Sequence, residues 1–303
     1  MTRDTYQQHI LNAAVGICYA KSHAPQCDSV FHTRFRIYKH RLIWQHLQRV
    51  LLLRQEPSPL KILDVGCLDG SDLDDLICRQ TNHWSRGDAV RGWEISGIDC
   101  NEHALQCAQL RFGALQQAYH LGRVGFLACD LSKGIPLRDG AFDVIVCSEV
   151  IEHMEEPSDL LRELYRVLEP QGFLILTTPN EPNFLSVVKR ALLKTIGRYV
   201  ESAAERYARS RDGESDVITM GGSTLRVYGH INAKTCLAWE ALLRQAGFDI
   251  VRTGPYDAVA RSDIGSHPLF ELVAAAGRGA VSLAPTALAK RLADTTAVLC
   301  RKP

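Results

Sequence analysis

The segment 61–70, which reads Lys-Ile-Leu-Asp-Val-Gly-Cys-Leu-Asp-Gly, limits most strongly what this chain can fold into. An apolar run ends in a turn that contains Gly66 and Gly70, and a helix is predicted to begin at Ser71. Glycines in such a turn let the backbone approach a ligand closely. A strand, a glycine-bearing turn and a helix in this order are typical of the first unit of a nucleotide-binding α/β sheet.

Carboxylates crowd the start of this predicted helix, at Asp69, Asp72, Asp74 and Asp75. A dinucleotide places its pyrophosphate at such a helix N-terminus, and carboxylates there would repel phosphate. They would tolerate a cationic cofactor that carries no phosphate. The charge pattern therefore favours S-adenosylmethionine (SAM), a sulfonium, over NAD.

Composition sets broad limits. The chain has 303 residues with 46% hydrophobic content, enough for one large α/β core with additions or for two small domains. The net charge of +1 gives no support for binding nucleic acid or a membrane surface. The ten cysteines form no C-x-x-C pair, which favours reduced core residues over a disulfide framework or a zinc cluster. The absence of a secretory pattern and of a long apolar run predicts a cytoplasmic location.

Strand and helix patterns alternate along most of the chain. The predicted strands are 60–65, 93–99, 124–129, 142–147, 173–178, 248–253 and 296–301. The predicted helices are 31–54, 71–79, 102–112, 158–168, 185–209 and 233–246, and a Gly/Ser/Asp-rich loop is predicted at 211–222.

This alternation predicts an α/β fold, namely a Rossmann-like seven-stranded, mostly parallel sheet with helices on both faces. N-terminal helices and a helical lid insertion would be added to that sheet. The predicted domain organisation is a helical cap at 1–58, a cofactor-binding core at 59–180, a lid insertion at 181–232, and the C-terminal part of the core sheet with a helical insertion at 233–303.

Polar residues follow several of the predicted strands: Asp64 with the glycine turn, Asp99, Asp130 with Leu131, and Ser148 with Glu149. Ligands of doubly wound sheets bind at the carboxyl ends of strands. Asp99 is placed to accept hydrogen bonds from a ribose diol, and Asp130 from an adenine amine while Leu131 packs on the ring. Each carboxylate alone could be a helix cap, but their succession favours a shared cofactor.

At this point the chain resembles the class I SAM-dependent methyltransferases, from about residue 61 to 248 and in the final strand. The matching segments are Ile-Leu-Asp-Val-Gly-Cys-x-x-Gly (62–70), Gly-Ile-Asp (97–99), Cys-Asp-Leu (129–131), Phe-Asp-Val-Ile-Val-Cys-Ser-Glu-Val-Ile-Glu-His (142–153) and Arg-Val-Leu-Glu-Pro-Gln-Gly-Phe-Leu-Ile-Leu-Thr-Thr-Pro-Asn (166–180). Together these segments are a specific signal, whereas each alone is weak.

The resemblance implies a cofactor site. Asp64, Gly66 and Gly70 would border the methionine end of SAM. Asp99 would hold the ribose, and Asp130 with Leu131 would recognise the adenine. Further cofactor contacts are expected at Cys67, Cys100 and Ser148. The chain departs from the family at Leu68, where the family usually has glycine in the middle of the turn.

The residues that assist the chemistry are predicted at Glu149, Glu152 and His153, whose spacing would place them on one face of a helical turn. Two carboxylates and an imidazole suit Mg²⁺, Mn²⁺ or Fe²⁺, and His230 is the natural fourth ligand. A metal there would activate a bound hydroxyl. Without a metal, His153 or His230 could act as a general base, with Glu149 beside it. The alternative is a purely structural turn.

Two resembling groups, ubiquinone-pathway O-methyltransferases and small-RNA 3′-terminal 2′-O-methyltransferases, both carry Glu-x-x-Glu-His followed by a later histidine. We expect a SAM-dependent methyltransferase that acts on a small molecule, at oxygen. The basic segments 31–54 and 184–209 suit an anionic or amphipathic acceptor, and 268–294 suits helices with a homodimer contact. The alternatives are an RNA 2′-O-methyltransferase assisted by metal, a nicotinamide oxidoreductase, and a SAM-fold binding protein without turnover. Nucleic acid is the less expected partner.

Overall fold

The computed structural model describes residues 30–54, 59–83, 90–180, 216–220, 223–227, 231–256, 283, 285–293 and 295–303. The helices are α1 (Val30–Leu53), α2 (Ser71–His83), α3 (Glu102–Tyr119), α4 (Pro157–Val167), α5 (Cys236–Gln245) and α6 (Thr286–Leu292). The strands are β1 (Lys61–Val65), β2 (Glu94–Asp99), β3 (Val124–Ala128), β4 (Phe142–Ser148), β5 (Leu168–Pro179), β6 (Asp216–Met220), β7 (Ser223–Val227), β8 (Asp249–Tyr256) and β9 (Thr295–Arg301). Short 3-10 helices, Leu131–Lys133 and Ile151–His153, follow β3 and β4.

Seven of these strands form one sheet in the order β3-β2-β1-β4-β5-β9-β8. β2 pairs in parallel with β1 and with β3, whereas β9 runs antiparallel to both β5 and β8. The chain runs outward from β1 to β3 and then returns to the other side of β1, so the strand order reverses between β1 and β4. The predicted seven-stranded, mostly parallel α/β sheet is confirmed.

The chain divides into two compact units, one made of Met1–Leu131 and Phe142–Ile145, the other of Ser132–Ala141 and Val146–Pro303. In the first unit, β1 is buried along four of its five residues. Phe112 of α3 is fully buried and meets the ring of Phe126 edge-on at 5.2 Å. A Cβ at Gly70 would come within 2.9 Å of the Phe112 ring, so glycine there lets α3 pack against the turn after β1.

The second unit is built on α4 and β5. Helix α4 buries its apolar stripe, Leu160, Leu161, Leu164 and Val167, as the sequence spacing predicts. At the end of β5 the buried Asn180 donates from its amide nitrogen to the carbonyl oxygens of Lys290, at 2.8 Å, and Ala293, at 2.5 Å. Its amide oxygen accepts the N–H of Cys236 at 2.6 Å. One side chain thus joins the end of β5 to the start of α5 and to α6.

Several helices and strands begin or end at residues other than those predicted from the sequence. The segment 211–222 was expected to be a loop, but it contains β6, which pairs with β7 in a separate two-stranded sheet. Helix α3 continues past Gly113, where the sequence suggested a stop, and ends at His120 in the left-handed conformation. Helix α5 begins at Cys236, because Thr235 caps it by accepting the N–H of Ala238 at 3.3 Å.

Several expectations fall on residues outside the described ranges, or largely so: the lid helix 185–209, His230, and most of 268–294. The described helices include none that is both long and apolar enough to cross a membrane. Of the described cysteines, seven carry free thiols, namely Cys67, Cys78, Cys100, Cys129, Cys147, Cys236 and Cys300. Cys107 is disulfide-bonded, so the expectation of a fully reduced set is wrong at that position.

Arg166 of α4 holds the loop that precedes β4 against α4. Its guanidinium donates to the carbonyl oxygens of Ile135 and Leu137 at 2.7 and 2.8 Å. It also donates to the carboxylates of Glu163, at 2.9 and 2.7 Å, and Asp139, at 2.5 Å. The planar fork of arginine serves all of these acceptors at once, which a lysine ammonium could not do.

We predict that Arg166→Met lowers the free energy of unfolding by about 2 kcal/mol, because several bonds of roughly 1 kcal/mol net value are lost together. Urea denaturation followed by circular dichroism measures the change. Arg162→Met is the matched control, since the Arg162 side chain is 71% exposed and pairs with an exposed Asp159. The control should shift stability by less than about 0.5 kcal/mol. Equal effects of the two variants would contradict the role given to Arg166.

Candidate functional site

The turn between β1 and α2 is fastened to the end of β2. The backbone N–H groups of Gly66 and Cys67 both donate to the carbonyl oxygen of Ile98, at 2.8 and 3.1 Å. Gly66 and Gly70 both have a φ of 73°, in the left-handed region that glycine adopts without cost. The glycines predicted from sequence are therefore required by the shape of the turn itself.

Leu68 occupies the same turn in a conformation that is unusual for its type. Its φ is 48°, and the left-handed conformation costs a residue with a Cβ roughly 1–2 kcal/mol. Its N–H donates to Oδ2 of Asp99 at 2.8 Å, a bond to a carboxylate that helps to offset this cost. The Leu68 side chain is 41% exposed, so it is not part of the buried core.

Asp99 stands at the end of β2, as predicted, and is buried. While Oδ2 binds the N–H of Leu68, Oδ1 accepts the N–H of Asn101 at 2.8 Å. Oδ1 also accepts from the thiol of Cys100, at 3.7 Å. Each carboxylate oxygen has two acceptor sites, so Oδ2 retains capacity for a ligand hydroxyl. The carbonyl oxygen of Asp99 accepts the N–H of Cys129 at 2.9 Å, which brings the end of β3 beside it. Asp130 and Leu131 follow there, the first exposed and the second half-buried.

Asp64, near the end of β1, is only 2% exposed, and its Oδ2 has no hydrogen-bond partner among the described residues. Burial raises the pKa of the Asp64 carboxyl well above its usual range, and the negative charges of Asp72 and Asp99 raise it further. A cation bound beside Asp64 would favour its ionised form. The buried, unsatisfied oxygen therefore fits the cationic methionine end of SAM.

The acidic cluster at the start of α2 is compensated by cations from other elements. Arg111 of α3 donates to Oδ2 of Asp69 at 2.9 Å and to Oδ2 of Asp74 at 3.1 Å. Arg111 is 42 positions from Asp69 and 37 positions from Asp74 in the chain, and all three side chains are largely buried. Sequence reasoning missed Arg111, because nothing in a single helix pattern identifies a partner at that distance.

The other two carboxylates of the cluster are paired with α1. Asp72 accepts from Lys39 Nζ at 2.8 Å and bonds His40 Nε2 at 2.6 Å. Oδ2 of Asp75 lies 3.6 Å from His40 Nδ1 and also pairs with Arg79 of α2 itself. Burial raises the pKa of Asp72, but Lys39 and His40 outweigh it and hold the pKa well below the usual range. The cluster is therefore not a free negative patch, because each of its carboxylates is paired with a basic side chain, and this pairing weakens the charge argument against pyrophosphate.

The two cysteines expected at the cofactor site differ in environment. Cys67 is buried, and a Cβ at Gly97 would come within 2.7 Å of its sulfur, so the thiol fills space between β1 and β2. Burial raises the pKa of Cys67, and the nearby carboxylates of Asp64 and Asp99 raise it further. Cys100 is exposed, and desolvation with the charge of Asp99 raises its pKa to about 11. Both residues are therefore thiols at neutral pH.

In the second unit, Glu149 directly follows β4 with a φ of 57°, a left-handed conformation that is uncommon for glutamate. Thr177 of β5 holds it, because the Thr177 carbonyl oxygen accepts the N–H of Glu149 at 2.9 Å and the Thr177 hydroxyl donates to Oε1 at 3.2 Å. The hydroxyls of Thr177 and Ser148 lie 3.0 Å apart. Such a held, strained backbone is a recurrent feature of functional sites.

Glu152 and His153 belong to the 3-10 helix after β4 and differ in exposure. Glu152 is fully buried and accepts a hydrogen bond from the hydroxyl of Thr178 at 3.1 Å. The His153 side chain is 37% exposed, with Nε2 3.9 Å from Oε1 of Glu152. The predicted single helical face is thus wrong, since Glu149 lies outside the 3-10 helix in a left-handed conformation and Glu152 is buried whereas His153 is half-exposed. No three His, Cys, Asp or Glu side chains in the described ranges converge on a metal site, and His230 lies outside those ranges.

Asn232 fastens the segment before α5 to this 3-10 helix. Its N–H donates to the carbonyl oxygen of Glu152 at 3.0 Å. Its amide nitrogen donates to the carbonyl oxygens of Met154 and Glu155 at 2.6 and 3.0 Å. Sequence reasoning did not identify Asn232 or the two threonines, because isolated Asn and Thr residues carry no spacing signal.

Comparison with known proteins agrees with the fold and the turn. Residues 32–253 match the model of a methyltransferase-domain family. Among curated relatives, the ubiquinone biosynthesis O-methyltransferase of Pseudomonas savastanoi pv. phaseolicola is 32% identical over 120 residues, which are 40% of this chain and 44% of that protein. The corresponding enzyme of Chromobacterium violaceum is 29% identical over the same shares. The match thus spans less than half the length of these relatives.

A solved structure, the [4+2]-cyclase SpnF, covers 87% of this chain and 80% of its own at 20% identity and a TM-score of 0.50, a likeness of fold alone. The family model, in contrast, matches well over half of the chain and includes the glycine turn and the ends of β1 to β4. Taken with the strand order and the buried carboxylates of Asp64 and Asp99, this match shows that the chain belongs to the class I SAM-dependent methyltransferases.

Proposed function

We propose that this protein transfers a methyl group from SAM to a hydroxyl oxygen of a small-molecule acceptor. The family supports the donor, and the O-methyltransferases among the relatives support oxygen as the acceptor atom. The observation that carries the proposal is the glycine turn with two buried carboxylates beside it, Asp64 with an unsatisfied oxygen and Asp99 with remaining acceptor capacity.

The first unit supplies residues for holding the cofactor. Asp64 would accept from the methionine ammonium group, while the backbone of Gly66, Cys67 and Gly70 lines the turn. Asp99 would accept the ribose hydroxyls, and Asp130 with Leu131 and Cys100 would border the adenosine. Ser148, in the second unit, stays a predicted contact. SAM, when bound, supplies a methyl group activated by its sulfonium, so the chain mainly has to orient the acceptor.

Proton removal from the acceptor is the task we assign to His153. A half-exposed imidazole can accept a hydroxyl proton from an acceptor. Glu149, held in place by Thr177, would orient the acceptor or the imidazole. His230 stays a predicted second base.

A divalent metal, Mg²⁺, Mn²⁺ or Fe²⁺, bound by Glu149, Glu152, His153 and His230 also stays a prediction. The bond from Thr178 and the complete burial of Glu152 support a structural role for that carboxylate instead. The predicted domain boundaries at residues 58, 180 and 232 stay predictions, and so does the homodimer contact.

Two of the basic residues that favoured an RNA or anionic partner are engaged within the protein. Lys39 of α1 is paired with Asp72, and Arg54, which follows α1, with Asp143, each at 2.8 Å. Paired cations release few counterions, so they contribute little to nucleic-acid affinity.

We predict that Asp99→Asn weakens binding of S-adenosylhomocysteine by roughly tenfold to a hundredfold, the value of a hydrogen bond to a charged group. The new amide replaces one acceptor with a donor that faces either a backbone N–H or the ribose. Isothermal titration calorimetry measures the affinity. Asp249→Asn, an exposed carboxylate at the start of β8, is the matched control and should bind as wild type does. Unchanged affinity in Asp99→Asn would remove Asp99 from the site.

We predict that His153→Ala lowers kcat by about 100-fold at unchanged affinity for S-adenosylhomocysteine, because a general base is lost while the cofactor contacts stay. Transfer of labelled methyl from SAM to a panel of phenols and catechols measures kcat. His103→Ala, an exposed histidine of α3, is the control and should retain full activity.

The same assay tests the metal. Loss of activity in excess chelator, with recovery on adding Mg²⁺, Mn²⁺ or Fe²⁺, would establish metal assistance in place of the general base. Activity that is unaffected by chelator and lost in His153→Ala would establish the base.

A further inference from the structure

We infer that Arg111 of α3 is a positioning residue of the cofactor site, because it holds the second half of the turn between β1 and α2 (69–70) in the shape that receives the methionine end of SAM. This inference rests on the proposed function, since it assumes that SAM binds at this turn. Arg111 acts through Asp69 and Asp74, to which its guanidinium is bound, and not through contact with the cofactor.

The turn has two supports, which act on different halves of it. Strand β2 holds the first half (66–68), since the carbonyl oxygen of Ile98 accepts two of its N–H groups and the carboxylate of Asp99 accepts that of Leu68. These bonds end before Asp69 and Gly70. The second half is held instead by side chains of α3.

Helix α3 contacts the second half at two neighbouring positions. The ring of Phe112 packs so closely that a Cβ at Gly70 would come within 2.9 Å of it. One residue earlier, Arg111 donates to Oδ2 of Asp69 at 2.9 Å. The same guanidinium donates to Oδ2 of Asp74, in the first turn of α2, at 3.1 Å. One planar group therefore fixes both the turn and the start of α2 against α3.

The bonds of Arg111 are shielded from water. The side chains of Arg111, Asp69 and Asp74 are 10%, 7% and 9% exposed. Burial raises the pKa of the Asp74 carboxyl, and the charge of Arg111 is the main influence that opposes this rise. Without the guanidinium, two buried carboxyl groups would have to move toward other donors or take up a proton. In either case the turn loses its link to α3 at Asp69.

A loosened turn would weaken cofactor binding because the turn backbone itself lines the proposed site. The contacts proposed at Gly66, Cys67 and Gly70 are backbone contacts, so their positions depend on how the turn is held. SAM would have to order a mobile turn as it binds, which costs conformational entropy. Asp64 and Asp99 keep their places on β1 and β2, so affinity should fall without being abolished.

Two substitutions of Arg111 are compared with the same two substitutions of Arg166. Arg111→Met removes the charge and keeps an apolar stem, whereas Arg111→Lys keeps the charge but cannot hold both carboxylates with a planar fork. Arg166 is the matched control, because it too binds several acceptors and lies in the other compact unit. Isothermal titration calorimetry measures the affinity for S-adenosylhomocysteine, and urea denaturation measures stability. Hydrogen exchange followed by nuclear magnetic resonance measures opening at single amides.

We expect Arg111→Met to bind S-adenosylhomocysteine roughly tenfold or more weakly than wild type, and Arg111→Lys roughly threefold or more weakly. Both Arg166 variants should lose stability and yet bind with the affinity of wild type. In Arg111→Lys the amide proton of Gly70 should exchange faster than in wild type, whereas that of Gly66, which β2 holds, should not.

The lysine variant keeps the test decisive whether or not Arg111→Met folds. Wild-type affinity in Arg111→Lys, or an equal loss of affinity in Arg166→Lys, would overturn the positioning role of Arg111. Wild type that binds no S-adenosylhomocysteine would instead overturn the proposed function.

Discussion

The carboxylate of Asp99 is the constraint on which the rest of the site depends. One of its oxygens binds the N–H of Leu68 and the other binds the N–H of Asn101, so it joins the turn after β1 to the start of α3. Its backbone carbonyl also holds the end of β3. Three chain segments therefore take their relative positions from one residue. A site built this way is organised before a ligand arrives, which lowers the ordering cost of binding.

Among the described residues of the first unit, the carboxylates of the acidic cluster are paired with basic side chains, whereas Asp64 is not. Arg111, Lys39 and His40 each satisfy carboxylates of the acidic cluster, as buried ions require. Asp64 is equally buried, yet its Oδ2 has no such partner among the described residues, and burial shifts its pKa upward. A buried carboxyl oxygen without a hydrogen-bond partner is costly for the fold, which supports the proposed contact of Asp64 with the methionine end of SAM.

The strands, the helices and the glycine turn could be predicted from the sequence because each is encoded locally, in apolar runs, glycines and the stripe of α4. The strand-end carboxylates could be predicted because parallel strands end at a common edge. What could not be predicted depends on distant contacts. Arg111 pairs with two of the four carboxylates of the acidic cluster, and Thr178 donates to the buried Glu152. The hairpin of β6 and β7 arises in a segment rich in turn-forming residues. Local spacing could not place Glu149 either, since its backbone reverses into the left-handed region.

The hydrogen bonds of the Asn180 side-chain amide bear on how the second unit unfolds locally. It bonds to backbone groups of α5 and α6, which lie 56 and more than 100 residues further along the chain, while β5 itself pairs with β9. Fraying of the C-terminal strand pair would therefore expose a buried amide and release two helix ends together. We therefore expect the amide protons of β5, α5 and β9 to exchange as one cooperative unit. The histidine-bearing segment after β4 is attached to that unit through Thr177 and Thr178.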